Sequence, residues 1–299
     1  MIIIGVFLTM LALIIGGVLY VSSVLGSYVK LEVDESKLAI SENLTEEQKN
    51  IRNIALFGVD SQNGTQGRSD SIMILTLDET HNKVKLTSIM RDSYVDINGK
   101  MDKINHAYAF GGPELAIKTL NQNFGLNIKD YISVNFKSLS AIIDVLGGIQ
   151  INVTGEEVSH LTGISSVGVH TLNGAQTLEY ARIRYASGGD YQRTQRQRNI
   201  MESMYESFRY KGVADYPELV TSFLPHVTTN MDVTDMLGIG TEYASVMSAG
   251  LEQERFPRDG EGTGTTIGGL YYLKYDLDIA GEAMRNFIFE DVRESFKKN

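Results

Sequence analysis

The chain has 299 residues, 42% of them hydrophobic, no Cys, and a formal charge of −10. That length and apolar content support a sizeable core and argue against global disorder. The acidic balance excludes general nucleic-acid binding, which wants a basic face. The missing Cys excludes disulfide frameworks, thiolate metal sites and cysteine nucleophiles.

Residues 2–29 carry no charge and are mostly Ile, Leu, Val, Met and Gly. As a helix, residues 2–26 would span roughly 37 Å at about 1.5 Å per residue, which crosses a bilayer core about 30 Å thick with some tilt. A cleaved signal peptide would want a basic n-region and a small-x-small site, and neither is present. A buried core helix is rarely apolar on every side. The expectation is one N-terminal transmembrane helix, with residues 1–29 as anchor. Lys30 and Lys37 are outnumbered by Glu32, Asp34, Glu35 and Glu42, so the positive-inside rule leans towards the bulk of the chain lying outside.

Residues 30–50 are polar and read as a stalk or short helix, leaving 51–299 as one domain. Residues 53–59 read as a buried strand, followed by a polar, Gly-containing loop over 61–69. Residues 71–77 and 84–89 form a β-hairpin, and 94–97 before Asn98-Gly99 is a short strand with a turn signal. Helical spacing covers 113–124, with Gly125 as its stop. Then come a strand over 131–136, a helix over 138–146 ended by Gly147-Gly148, and a strand over 149–153. Asn173 caps a helix through Arg182, and 190–210 is a second, Arg-rich helix. Helices over 217–224 and 233–247, strands over 251–256 and 270–275, and a closing helix over 279–288 complete the reading. Such interspersed elements define an α/β (α+β) fold with a mixed central β-sheet and helices on both faces.

Three places concentrate unusual charge. Arg68 and Asp70 stand two apart, on one side of an extended chain. Asp60 ends the preceding strand. If the two strands run antiparallel across the loop, Asp60 and Asp70 meet at one rim. Their repulsion is resolved by a hard divalent cation, and Mg²⁺ takes one or two carboxylates plus phosphate oxygens. A turn Asp beside a surface ion pair is the plainer alternative. Arg91-Asp92 follows an apolar strand and points at the same rim if strand polarity alternates.

The third place is YARIRYASGGDYQRTQRQRN, residues 180–199. Arg182 and Arg184 flank Ile183 and project one way. Gly188-Gly189 give a turn and Asp190 can cap the next helix, on which Arg193, Arg196 and Gln197 share a face while Arg198 falls off it. Arginines converging there require an anion. Guanidinium groups match phosphate oxygens bidentately, so pyrophosphate is the natural counter-charge. The alternative is a solvated basic helix facing anionic lipid. No Walker A loop, G-x-S-x-G elbow or H-E-x-x-H pair is present.

The segments NIALFGVD, GRSDSIMILTL, LTSIMRDSYVDI, KINHAYAFGG, GVHTLNGAQTLEYARIR and GDYQRTQRQ occur in order over residues 52–198. In this the chain resembles the LytR–CpsA–Psr family of bacterial cell-envelope proteins. The resemblance implies a single-pass type II membrane protein whose extracytoplasmic domain is a phosphotransferase. Such enzymes move an anionic glycopolymer, of the wall teichoic acid or capsular polysaccharide type, from a polyprenyl-pyrophosphate carrier to peptidoglycan. It implies Mg²⁺, or Mn²⁺, on Asp60 and Asp70. It implies pyrophosphate on Arg68, Arg91, Arg182, Arg184 and Arg193, with Arg196 and Gln197 completing the helix face. It also implies an apolar tunnel for the prenyl chain between sheet and helices, for which the helix over 141–146 is a candidate wall. Phosphoryl transfer needs charge neutralisation and positioning more than covalent catalysis. Asp92 and Asp190 are the two bases open to the acceptor hydroxyl, beside Arg91. A lipid-pyrophosphate hydrolase and a non-catalytic envelope regulator are the competing functions.

Overall fold

Period-2 patterning places the sheet. The computed structural model describes residues 28–61, 67–183, 189–209, 215–247 and 250–293. The expected membrane span falls on residues 1–27, outside the described residues; among those described, no helix is long and apolar enough to cross a membrane.

The first part of the chain contributes β1 (Val29–Lys30), the short helix α1 (Glu46–Asn50), β2 (Arg52–Asp60), β3 (Arg68–Asp78) and β4 (Lys83–Ile89). A hairpin of β5 (Tyr94–Ile97) and β6 (Lys100–Lys103) follows, then α2 (His106–Phe124), β7 (Asp130–Asn135) and α3 (Phe136–Val145). Asn98 and Gly99 both take positive φ, 54° and 82°, the turn that matches strand twist. The middle of the chain gives β8 (Ile149–Val153), α4 (Gly155–Val158), β9 (Gly168–Leu172), α5 (Gly174–Arg182) and α6 (Gly189–Arg209). Last come α7 (Tyr216–Phe223), β10 (Thr228–Thr229), α8 (Val233–Glu242), α9 (Ala244–Met247), β11 (Leu251–Phe256), β12 (Thr263–Ile267), β13 (Leu270–Lys274) and α10 (Leu277–Phe289). The helix expected over 113–124 begins earlier, at His106, because two helical pieces abut across a kink at Gly111 and Gly112. Pro113 stands just after that kink, where the next helical piece begins and its missing N–H costs nothing.

Seven strands form one mixed sheet in the order β1-β10-β7-β2-β3-β4-β11. β2 pairs parallel with β7 and antiparallel with β3, β3 pairs antiparallel with β4, and β4 pairs parallel with β11. Strands β7, β2, β4 and β11 therefore all end at one rim, and β3 begins there. Alternation splits the strand residues between two faces. Ala55, Phe57, Ile72 and Ile74 join residues of α2 and α10, such as Leu120 and Phe287, in one core. Ile54, Leu77 and Val84 join Tyr205, Met231, Tyr243 and Val246 in another. A third cluster, including Ile143, Ile149, Leu172, Tyr180 and Ile200, ties α3, β8, β9, α5 and α6 together.

The stretch read as a stalk is packed instead. Val29 and Lys30 pair with Thr228 and Thr229, Tyr131 Oη donates to the Leu31 carbonyl (3.0 Å), and Leu38 is fully buried in the first core. Its few apolar residues are spaced for docking rather than for a helix face, which is why composition alone reads it as linker.

Candidate active site at the strand ends

The rim collects what lies at each strand end. Asp60 closes β2 opposite Arg68, which opens β3. Both are exposed. Gly67 lies close against the Asp60 backbone: at φ +141°, a Cβ there would lie 2.3 Å from the Asp60 carbonyl oxygen. A register shift between Gly58 and Val59 leaves Asp70 outside the ladder.

Asp70 is held by Arg91, just past the end of β4. Arg91 Nη1 lies 3.0 Å from Asp70 Oδ1, and Arg91 Nη2 lies 3.3 Å from Asp190 Oδ1. The same Asp190 oxygen meets Arg193 Nη2 at 2.7 Å. Asp92 is gripped by Lys103 Nζ (2.8 Å) and lies 3.6 Å from Arg91 Nε. Asn105 Nδ2 donates to Asp70 Oδ1 at 3.4 Å. One network thus joins the start of β3, the end of β4, the β6–α2 junction and the first turn of α6. Asp190 does not act as a bare cap; its carboxylate bridges two guanidinium groups. Its second oxygen, Oδ2, is buried with no hydrogen-bond partner among the described residues. Burial first, then the charges of Asp92 and Asp190, raise the Tyr271 hydroxyl above its ordinary pKa, so this β13 ring overlooks the site.

The other sequence-derived residues divide. Arg182 ends α5 with its guanidinium 4.1 Å over the Phe136 ring. Phe136 follows Asn135, the register partner of Val59, so this pair stands beside Asp60 on the rim. Arg184 lies outside the described residues. Gln197 is half-buried on α6. Arg196 turns away from the network: its Nε donates to Glu157 Oε1 at 2.7 Å and its Nη1 to the Ile183 carbonyl at 3.2 Å. The arginines of residues 182–197 are expected to need an anion, while Arg91 stands beside Asp92 in sequence. The structure supplies Asp70, Asp92 and Asp190, brought together by strand ends that are distant in sequence.

Lys103, Asn105, Phe136, Glu157 and Tyr271 were absent from the sequence reading. Lys103 and Asn105 could have been found, since both stand in KINHAYAFGG at alternating positions. Glu157 carries a helix-start signal, as N3 of the Thr154 capping box, but none for its pairing with Arg196.

Fold and rim define an α/β protein whose arginines and carboxylates meet at the ends of parallel strands, where ligands of open α/β sheets bind. The LytR_cpsA_psr family model matches residues 20–286, and the chain belongs to that family. It is 34% identical over 292 residues to a polyisoprenyl-teichoic acid–peptidoglycan teichoic acid transferase, TagU, of Oceanobacillus iheyensis, covering 92% of this chain and 89% of that one. Among solved structures it is similar to a transcriptional regulator from Enterococcus faecalis, with 29% identity, a TM-score of 0.68, and 85% and 92% of the two chains covered. It shares its fold with TagT holding octaprenyl pyrophosphate lipid, at 21% identity, a TM-score of 0.66, and 86% and 99% coverage.

Proposed function

We propose that the protein transfers an anionic glycopolymer of the teichoic acid type from a polyprenyl-pyrophosphate carrier to peptidoglycan. The observation that carries the reading is the Asp70–Arg91–Asp190–Arg193 network at the strand ends. It stands in a chain 34% identical to a named transferase of that kind. Residues 1–27 anchor the enzyme as a single-pass type II protein, the expected anchor being shortened because Val29 pairs with Thr228 in the sheet, with the catalytic domain outside the cell membrane.

In the reaction, an acceptor hydroxyl oxygen of peptidoglycan attacks the phosphorus that bears the glycan. The bond from that phosphorus to the bridging oxygen breaks, and polyprenyl phosphate leaves. Asp190 Oδ2, buried and open, takes the hydroxyl proton, while Oδ1 stays fixed by Arg91 and Arg193. Asp92 is worse suited, because Lys103 and Arg91 engage both its oxygens. Arg91 and Arg193 stabilise charge developing on the phosphoryl oxygens. Arg68 and Arg182 approach the diphosphate from the β3 and β7 sides.

Asp60 and Asp70 would hold Mg²⁺. Among the described residues no group of three or more His, Asp or Glu could hold a metal ion. Two carboxylates therefore need phosphate oxygens to complete the set, which is the donor chemistry Mg²⁺ takes. Bound there, the ion would neutralise charge on the diphosphate.

The regulator reading draws on the name of the Enterococcus faecalis neighbour. A charge of −10 opposes any role on nucleic acid. Full-length protein with a defined polyprenyl-pyrophosphoryl glycan, Mg²⁺ and peptidoglycan oligomers should give a phosphodiester-linked conjugate by mass spectrometry. Free glycan phosphate without conjugate would make it a hydrolase; no turnover would leave the regulator.

A further inference from the structure

Beyond Arg91, the rim continues to β11. Phe256, the last residue of β11, faces Ile89 in register, and the Met90 N–H donates to its carbonyl at 3.0 Å. The two strands lie about 5 Å apart. Between β11, the 257–262 loop and the first turns of α6 there is a cleft of about 690 Å³, lined by Tyr191, Gln195, Arg198, Gln253, Arg255 and Arg258 among others. None of these residues takes part in the network described above.

The cleft holds more buried donors than acceptors. Arg198, 8% exposed, spends Nη2 on Gln195 Oε1, and its Nη1 is buried without a partner among the described residues. Burial, then the charge of Arg255, pushes its pKa down to about 10. Arg258 likewise buries Nε and Nη2 without hydrogen-bond partners among the described residues; its Nη1 lies 3.9 Å from Glu261 and its guanidinium 5.2 Å over the Phe256 ring, a contact that leaves the N–H edge open. Against these three open N–H-bearing atoms stands one open acceptor, Gln253 Oε1. Buried polar groups are seldom left unmade, and each costs about 1–3 kcal/mol. Arg255 is spoken for, packed 4.2 Å over the Tyr191 ring and paired with Asp259.

The facing carboxylates do not fill this need. Asp259 is 93% exposed, Glu261 spends Oε2 on the Arg258 backbone N–H at 2.6 Å and reaches the guanidinium only at 3.9 Å, and Glu254 accepts from the Arg255 N–H at 3.1 Å. What fits is an acceptor-rich monoanion. The Nε–Nη2 edge of Arg258 is the fork that takes two phosphate oxygens, and Arg198 Nη1 adds a third donor from another element. A tetrahedral phosphodiester can serve both directions; a planar carboxylate seated on the fork has no further oxygen to give.

We propose that this cleft is a subsite for a phosphodiester of the glycopolymer chain, one strand beyond the reacting diphosphate. The inference rests on the transferase reading and deepens it: the enzyme reads charge in the polymer as well as in the carrier linkage.

The test uses full-length protein and two kinds of variant on separate elements, Arg198→Met on α6 and Arg258→Gln in the 257–262 loop. Binding of a defined glycerol-phosphate oligomer is measured by calorimetry beside a phosphate-free glycan of equal length. Each variant should weaken oligomer binding about tenfold or more, the scale of one hydrogen bond to a charged group. In turnover, KM should rise at least about tenfold more for a donor with phosphodiester repeats than for one without. Equal losses on both donors would overturn the subsite. So would unchanged oligomer binding, and so would a rise confined to the KM of the peptidoglycan acceptor, which would make the cleft the acceptor's. If the wild type turns over no donor, the transferase reading fails while the calorimetry still decides the cleft.

Discussion

Replacing Glu157 with Gln isolates the task of Arg196. The two side chains are 7% and 5% exposed, with Nε and Oε1 2.7 Å apart. Removing one partner of a buried ion pair leaves an uncompensated charge and costs about 3–5 kcal/mol. Gln keeps an acceptor for Arg196, and the Ile183 carbonyl still accepts at 3.2 Å, so the lower end, about 3 kcal/mol, applies. At about 2–4 °C per kcal/mol, the melting temperature should fall by about 6–12 °C. Glu157→Ala should cost about 1 kcal/mol more, because the one oxygen of Gln still serves either Arg196 Nε or the Thr154 N–H that Oε2 accepts at 3.0 Å, whereas Ala leaves both without an acceptor. The paired change Glu157→Leu with Arg196→Met should recover most of the loss, since an apolar pair of similar volume avoids desolvating charge. Thermal unfolding followed by circular dichroism, beside a turnover assay on the same samples, measures all three. Glu157→Gln melting with the wild type, together with an Arg196→Met protein that folds normally but no longer binds pyrophosphate, would refute the reasoning and return Arg196 to the anion site.

Asp190→Asn should lower kcat about 10²–10⁴-fold, the range of general base catalysis, and more than Asp92→Asn does; the reverse order in steady-state kinetics would move the proton to Asp92. Gly67→Ala must separate the β2 and β3 ends, because its Cβ would meet the Asp60 carbonyl at 2.3 Å. It should cost about 1–3 kcal/mol in chemical unfolding and lower turnover, and a fully active variant would uncouple that contact from the site. Chelation by EDTA should stop turnover and Mg²⁺ restore it, with Asp60→Ala and Asp70→Ala inactive in both conditions; activity that survives EDTA would remove the metal from the reading.

The strands at the centre of the sheet were legible because each carries an apolar run long enough to be buried. Residues 53–59, 71–77 and 84–89 lie inside β2, β3 and β4. Helix ends were legible where caps stand in sequence: Asn173 accepts from the Gln176 N–H, as expected of a capping residue. β9 and β12 were not, since GVHTL buries only Leu172, TGTTI buries none of its residues, and neither shows apolar alternation. In the site, Asp70, Arg91, Asp190 and Arg193 could be named because charge at a strand end or beside a Gly pair is visible in one dimension. Their mutual distances could not, because the pairing of β3 with β4 decides them. Helix spacing grouped Arg193, Arg196 and Gln197 on one face, yet a face is wide enough for Arg193 to meet Asp190 while Arg196 meets Glu157, 39 residues away.

The same limit explains Arg198. Spacing along α6 removes it from the face of Arg193, and an isolated helix would leave it in water. It is 8% exposed because β11 lies parallel to β4 and covers that side of the helix. Three arginines within six residues are thus sent to three environments: a carboxylate bridge at the rim, a buried pair with Glu157, and a donor-rich cleft. A guanidinium does not choose among these by its own chemistry. Partners choose: Asp190 from the first turn of α6 itself for Arg193, Glu157 from α4 for Arg196, and Gln195 with the β11 side of the cleft for Arg198. Substitutions at 193, 196 and 198 should therefore separate catalysis, stability and polymer recognition. That three-way separation, rather than loss of activity at any one of them, is what distinguishes this arrangement from a single basic helix face.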